Sequence, residues 1–362
     1  MNKNCSTTTD SFVEPGSLWT ILKTEKRWYL CGAVFVFLLA SVLISGWPQG
    51  LIPNTAYPYA YSGDSLGYSW LIQRAMEGWV FENPRNGYPF GSNFLDYPGS
   101  DAGTLALLKL IGLLSGSFYA AFNLYFLLSF SLIFISAYIV LRSLNLSKPF
   151  SSAAALIYAF LPFHFLRLGH YFFICYFVAP LFFYAAMKIL YLDSERFFQR
   201  LNLKTGLLYS LIFMSLASFG VYYALFGTIL IGAASLVRFC QPKGLKSAGI
   251  GLLAIVLVVL GVLLNTAPNI VYKKVNGPNA EVMHRNAAEA EVYGLKMAQL
   301  FMPRPWHRIE PMHNAGNRYN QYSPLVNENI SSTLGIVGGM GFVLIGWVFV
   351  RLAAGLKPDR RL

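Results

Sequence analysis

The feature that most constrains this chain is a series of apolar runs too long and too uniform for a water-soluble fold. Trp28 to Trp47 carries no charge. As a helix, a run of about 20 residues rises roughly 30 Å, the thickness of a bilayer's hydrocarbon core. Phe118 to Leu141, Ser247 to Pro268 and Thr333 to Leu352 read as further single spans. Phe150 to Leu192 and Gly206 to Phe239 are long enough for two each. With 55% of 362 residues hydrophobic and only 12% charged, there is not enough polar surface to coat a globule of this size. The reading is an all-α, polytopic membrane protein of about eight transmembrane helices.

Charge placement orients the spans. Most lysines and arginines fall in short connections: Lys23, Lys26 and Arg27, then Arg142 and Lys148, then Arg196 to Lys204, Arg238 to Lys246, and Arg351 to Arg361. Ten of the 16 acids fall in two long loops, 48–103 and 269–331. This positive-inside bias places both termini in the cytoplasm and both loops outside. Trp28 to Trp47 lacks a small-residue cleavage site and reads as a retained signal anchor. The expected organisation is a cytoplasmic tail over 1–27, one transmembrane domain over 28–352 and a second tail over 353–362. The four cysteines form no external pair, so no disulfide framework is expected. The net charge of +12 arises from the topology and does not imply a nucleic-acid partner.

The loops hold the candidate chemistry. Asp64 precedes Ser65 to Val80, where Leu66, Trp70, Leu71, Ala75 and Trp79 recur at helical spacing and Gln73, Arg74 and Glu77 fall between them. That is an amphipathic helix in the membrane surface, with Asp64 as its cap or as a carboxylate aimed into a cleft. Asp96 and Asp101 stand among glycines and prolines, and Asp101 suits the cap of an apolar helix beginning near Ala102. In the turn that splits Phe150 to Leu192, His164, Arg167 and His170 recur every third residue and lean to one side of a helical turn. Ionisable groups at a membrane boundary are costly to bury and mark substrate paths. The second loop adds Lys273, Lys274 and Glu328 to a basic, aromatic surface suited to an anionic ligand. Three histidines and several acids in the external segments could hold a divalent ion, but no spacing of a known metal motif occurs, so the cofactor is left open and a metal is not required.

The order of these features resembles the GT-C superfamily of membrane glycosyltransferases. The resemblance rests on Gly63-Asp64 before an amphipathic helix, Pro162 with Arg167-x-x-His170 at a later external turn, Gly220-x-Tyr-Tyr223, and a long loop ending at Glu328 before Leu334-Gly335. It covers most of Trp28 to Gly341. It implies transfer of a sugar from a polyprenyl-phosphate donor to an acceptor hydroxyl at the external face of a bacterial cytoplasmic (inner) membrane. It also implies Asp64 as catalytic base or metal ligand and Arg167 and His170 as the residues that meet the donor phosphate. Read with the loops above, His164, Asp101, Tyr223, Lys273, Lys274 and Glu328 join them as substrate-binding candidates, and Asp64 is taken as the base. Asp64 stands without the second acid that several branches carry beside it. The alternative from another class is a transporter or flippase of a lipid-linked sugar, whose cations bind a passing phosphate without needing a base.

Overall fold

A computed structural model describes residues 15–353 apart from 47, 49, 51, 52, 98, 100, 243, 282, 283, 285, 324 and 326, and apart from the side chains of 328, 331, 336, 349, 352 and 353. The chain forms two compact units, residues 1–279 and 280–362.

The first unit opens with α1 (Leu18–Thr24) and α2 (Lys26–Ser45) and continues through α3 (Asp64–Glu77), the two-residue strands β1 (Glu82–Asn83) and β2 (Ser92–Asn93), α4 (Ala102–Ser115) and α5 (Phe118–Ser143). Next come α6 (Lys148–Ala159), α7 (Pro162–Leu166), a 3-10 turn (Tyr171–Cys175), α8 (Val178–Leu190), α9 (Ser194–Arg200), α10 (Leu203–Leu216), α11 (Val221–Phe239) and α12 (Leu245–Asn276). Among the described residues, α2, α5, the run Lys148–Leu166, α11 and α12 are long and apolar enough to cross a membrane. Ala102–Ser115, Val178–Leu190, Leu203–Leu216 and Val337–Val348 are shorter apolar helices. The architecture is that of an all-helical membrane protein, with β1 and β2 as a minor hairpin in the first long loop.

Helix α5 is the axis of this unit. Inside the protein 67% of its apolar window is buried, against 22–28% for the other four long helices, whose leucines and valines turn outward as lipid-facing side chains do. Buried Phe122, Phe126, Phe130 and Phe134 run down α5 at four-residue spacing, and α2, α4, α6 and α8 pack around this helix. Its C-terminal end is fixed by charge. Glu25, 8% exposed, accepts from Arg142 Nη2 at 2.7 Å and Nε at 3.0 Å, and from Tyr138 Oη at 2.5 Å. The Arg142 hydrogen bond, opposed by desolvation and helped by Tyr138, holds the Glu25 carboxyl below its usual value.

Two expectations change here. The long block Phe150 to Leu192 breaks into four pieces, because Pro162 forces Leu161 into extended backbone (ψ 138°) and ends α6 at Ala159. Conversely, α12 does not stop at Pro268 but runs to Asn276, placing Lys273 and Lys274 on its last turn and not in a loop. Proline is tolerated within membrane helices where neighbours satisfy the freed groups. Beside it, Asn269 Nδ2 donates to Leu95 O at 2.7 Å and locks α12 to the first long loop.

The second unit holds α13 (Glu289–Tyr293), α14 (Glu310–Tyr322), α15 (Gly335–Ala353) and two 3-10 turns, Met297–Leu300 and Glu328–Ser331. Its polar knot is the buried pair Gln299 and Asn329, joined at 2.8 Å, with Asn329 Nδ2 also donating to Gly294 O.

The Glu25 clamp predicts a pH-dependent stability. A folded-state pKa below the ordinary value of 4.5 means that the contribution is present above that pH and is lost as pH falls through the lower folded value. The melting midpoint in detergent is expected to drop on acidification below that value, and to drop less in Glu25→Gln. Arg142→Met leaves a buried carboxylate without its cation and is expected to cost on the order of 3 kcal/mol at neutral pH. A neutral-pH midpoint unchanged in Arg142→Met rules the clamp out.

Candidate active site

The site is built where the helices break. Before α3, the chain is tied to α5 by Asn123, which is fully buried: its Oδ1 accepts from Tyr59 N at 3.0 Å and its Nδ2 donates to Tyr57 O at 2.6 Å. Ser65 closes the next turn, its Oγ accepting from Ser62 N and donating to Ser62 O. Gly63 sits at φ 54°, a conformation that favours glycine, and this lets α3 begin at Asp64. Asp64 is therefore the first residue of the helix and not its cap. Its carboxylate lies at the positive end of the helix dipole and meets His170 Nδ1 at 3.1 Å. The Asp64 side chain is 65% exposed and that of His170 33%, so the pair stands at an open rim.

Helix α3 turns a different face inward from the one its apolar spacing suggests. Ser65, Ser69, Ile72 and Ala75 are buried, whereas Leu66 is exposed. Small side chains allow close approach to α4 and α5. Arg74, expected to face water, is also buried, because Glu77 pairs with its Nη1 and Glu82 O accepts from its Nε at 3.2 Å.

A second carboxyl comes in from α4. Asp101 holds the N-cap position of α4, but its side chain makes no capping bond. Gly103 N donates to Ser218 O at 2.9 Å, and a Cβ at Gly103 would lie 2.9 Å from that same oxygen, so glycine permits the close approach of α4 to the turn before α11. This brings Asp101 beside Gly220, at which a Cβ would stand 3.9 Å from Asp101 Oδ1. Asp101 is half-buried, and the desolvation of its carboxyl pushes its pKa up to about 7.

Tyr68 feels the charge of both acids and packs on Phe172 with ring centres 4.8 Å apart. Burial first, then the charges of Asp64 and Asp101, raise its phenol to about 12. The sequence carried a signal for it, since Tyr68 is one turn beyond Asp64 on the same face, but without the position of Asp101 nothing distinguished it from a packing aromatic.

Of the expected residues, the structure gathers Asp64, Asp101, Arg167, His170 and Tyr223 about one region. Arg167 stacks on Phe163 at 5.0 Å, acts electrostatically on Tyr223, and keeps a buried Nε with no hydrogen-bond partner. Tyr223 Oη donates to Phe173 O, tying α11 to the 3-10 turn that His170 precedes, so its hydroxyl is already in use. His164 departs from the expectation. It is fully buried, at 2.9 Å from Ser129 Oγ and 4.0 Å from the Phe130 ring centre, because the turn after Leu166 separates its direction from those of Arg167 and His170. It belongs to the core. Asp96 accepts from Asn279 Nδ2 at 3.4 Å and stitches the loop to the end of α12, where Lys273 and Lys274 are exposed. Glu328 begins a 3-10 turn of the second unit, and its side chain lies outside the described residues. Among the described residues, no three metal-ligating side chains come together. Comparison with protein-family models, curated proteins and solved structures finds no match.

The raised Asp101 value has a measurable sign. The unfolded chain releases this proton near 3.8 and the folded one near 7, so folding loses stability as pH rises between them. Asp101→Asn is expected to raise the melting midpoint at pH 8 and to leave it nearly unchanged at pH 3. A variant that melts with the wild type at both pH values would show that the carboxyl is not desolvated.

Proposed function

We propose that this protein is a membrane glycosyltransferase that moves a sugar from a polyprenyl-phosphate donor to an acceptor hydroxyl at the external face of the membrane. The observation that carries this reading is the Asp64 to His170 contact at 3.1 Å, an open carboxylate and imidazole, with Arg167 one turn before His170 keeping an unused donor. A bilayer enzyme acting on a lipid-linked donor needs its polar groups where helices end, and this cluster meets that requirement.

In the proposed reaction the acceptor oxygen bonds to the anomeric carbon as the bond from that carbon to the phosphate oxygen breaks. The acceptor's proton passes to Asp64, and polyprenyl phosphate leaves. His170 positions the carboxylate and, when protonated, balances its charge. Arg167 faces the phosphate, where a planar fork suits two oxygens. Asp101, protonated below about pH 7, supplies a hydroxyl that can donate to a sugar oxygen. Lys273 and Lys274 add cations near the first loop, and His164 takes no part.

The topology that goes with this reading has eight spans, with α8, α10 and α15 added to α2, α5, the run Lys148–Leu166, α11 and α12. It also puts both termini in the cytoplasm of a bacterial cell and the first long loop outside. A cysteine at Asn93 is then expected to react with an impermeant thiol reagent in intact cells, and one at Arg200 only after permeabilisation. The opposite pattern would invert the orientation.

The broken run from α6 to α8 favours a second reading, because interrupted helices line the substrate sites of transporters of lipid-linked sugars. Asp64→Asn separates the two. Asparagine keeps the shape at the first turn but cannot take a proton, and a positioned base contributes on the order of 10² to 10⁴ in rate. Transfer from radiolabelled polyprenyl-phosphate sugars is expected to fall by about that factor while donor binding persists, and Arg167→Lys is expected to weaken donor binding instead. Wild-type transfer by Asp64→Asn removes the base assignment. If no product ever forms but labelled lipid crosses vesicles, the protein is the transporter.

A further inference from the structure

Further along α3 than Asp64, and turned about 240° around the helix from it, a cleft of about 550 Å³ opens between α3 and the β1–β2 hairpin. Trp70, Gln73, Asn83, Asn86, Phe94 and Arg85 help line it. Its size suits a small organic ligand. The decisive residue is Asn83. It is 3% exposed, and neither its Nδ2 nor its Oδ1 has a hydrogen-bond partner. Buried amides are almost always satisfied, so an orphan in the wall of a cleft points to a ligand that satisfies it.

The rest of the lining narrows the ligand's chemistry. An anion is disfavoured, because both guanidiniums are already committed: Arg74 to Glu77 and Glu82 O, and Arg85 to Glu77 at 2.9 Å. An extended peptide is disfavoured, because the hairpin offers strands of only two residues. The Asn83 and Asn86 amides can each donate and accept, as adjacent hydroxyls do, and Gln73, whose Nε2 already donates to Glu77 Oε1 at 2.5 Å, adds its Oε1 as an acceptor. Trp70, half-buried and set edge-on to Phe94 at 5.2 Å between ring centres, presents an apolar surface beside them. Hydroxyls around a ring with apolar C–H faces match this lining. The side chain of Arg85, 75% exposed, forms the rim of the cleft.

We propose that this cleft is a carbohydrate-binding subsite that holds an uncharged pyranose ring of a glycan, with Asn83 bonding two neighbouring hydroxyls and Trp70 beneath the ring. It stands apart from the Asp64 region and does not depend on sugar transfer.

The test is ligand-observed saturation-transfer NMR on the full chain, in a detergent without a sugar head group. The probes are the methyl glycosides of glucose, mannose, galactose and N-acetylglucosamine. At least one is expected to bind the wild type, and Asn83→Leu and Trp70→Ala are each expected to weaken it roughly tenfold or more, since one well-made bond or face is worth about that factor. Leucine also removes an unpaired amide, so Asn83→Leu is expected to melt no lower than the wild type. Asp64→Asn is expected to bind the same glycoside unchanged, so failure of the transfer reaction and failure of this subsite read out separately. If Asn83→Leu does not fold, Trp70→Ala decides. Silence from all four glycosides overturns the proposal, as does equal binding by wild type and folded variants. Binding of inorganic phosphate that Arg85→Gln abolishes, with the glycosides silent, overturns it too.

Discussion

Polar side chains inside a membrane protein have no water to turn to, and that constraint governs how α5 is held. Asn123, Ser129, Ser131, Ser136 and Ser143 are all buried, and each is satisfied within the protein. Some bonds stay within the helix, but those that leave it set the architecture. Ser131 Oγ donates to Ala33 O at 2.7 Å and draws α2 against α5. Ser129 takes the imidazole of His164 and so fixes α7. Asn123 binds the backbone leading to α3. With the Glu25 to Arg142 clamp at the other end, α5 is oriented by polar contacts at several levels, while the phenylalanine stripe supplies the contact area.

That arrangement explains why the chemistry-bearing residues come to one region. Each sits within a few residues of a helix break. Asp64 comes directly after Gly63, Asp101 precedes α4, Arg167 and His170 lie between α7 and the 3-10 turn, and Tyr223 is in the first turn of α11. Breaks leave backbone groups unpaired, so they collect where neighbouring segments can pair them: Ser218 O with Gly103 N, and Phe173 O with Tyr223 Oη. The polar side chains of those segments come together as a consequence.

The two carboxyls meet different surroundings. Asp64 is open to solvent and has an imidazole partner, whereas Asp101 is crowded and has no cation against it among the described ion pairs. Burial of the Asp101 carboxyl raises its pKa to about 7, so the crowded acid holds its proton to a far higher pH than an ordinary aspartate does.

By itself the sequence determined the class of fold, because the length of an apolar run is a local property and the bilayer sets the length required. It also determined α3 and α4 and the turn at Ser218 to Tyr223, where glycines and a change of periodicity are local signals. It singled out Arg167 and His170 as one cluster on the side of Asp64, and Asp101 and Tyr223 separately, but spacing alone had no means of showing which contacts join them. Tertiary structure alone decided that His164 is core, since a three-residue spacing implies a common face only while the helix persists, and here it ends at Leu166. It decided that α12 continues through Pro268, since that depends on a partner such as Leu95 O, far away in sequence. It also decided which face of α3 is buried. Small serines and a neutralised arginine pack against α4 and α5 better than their hydrophobicity suggests, because the fit of two surfaces is not a property of either one alone.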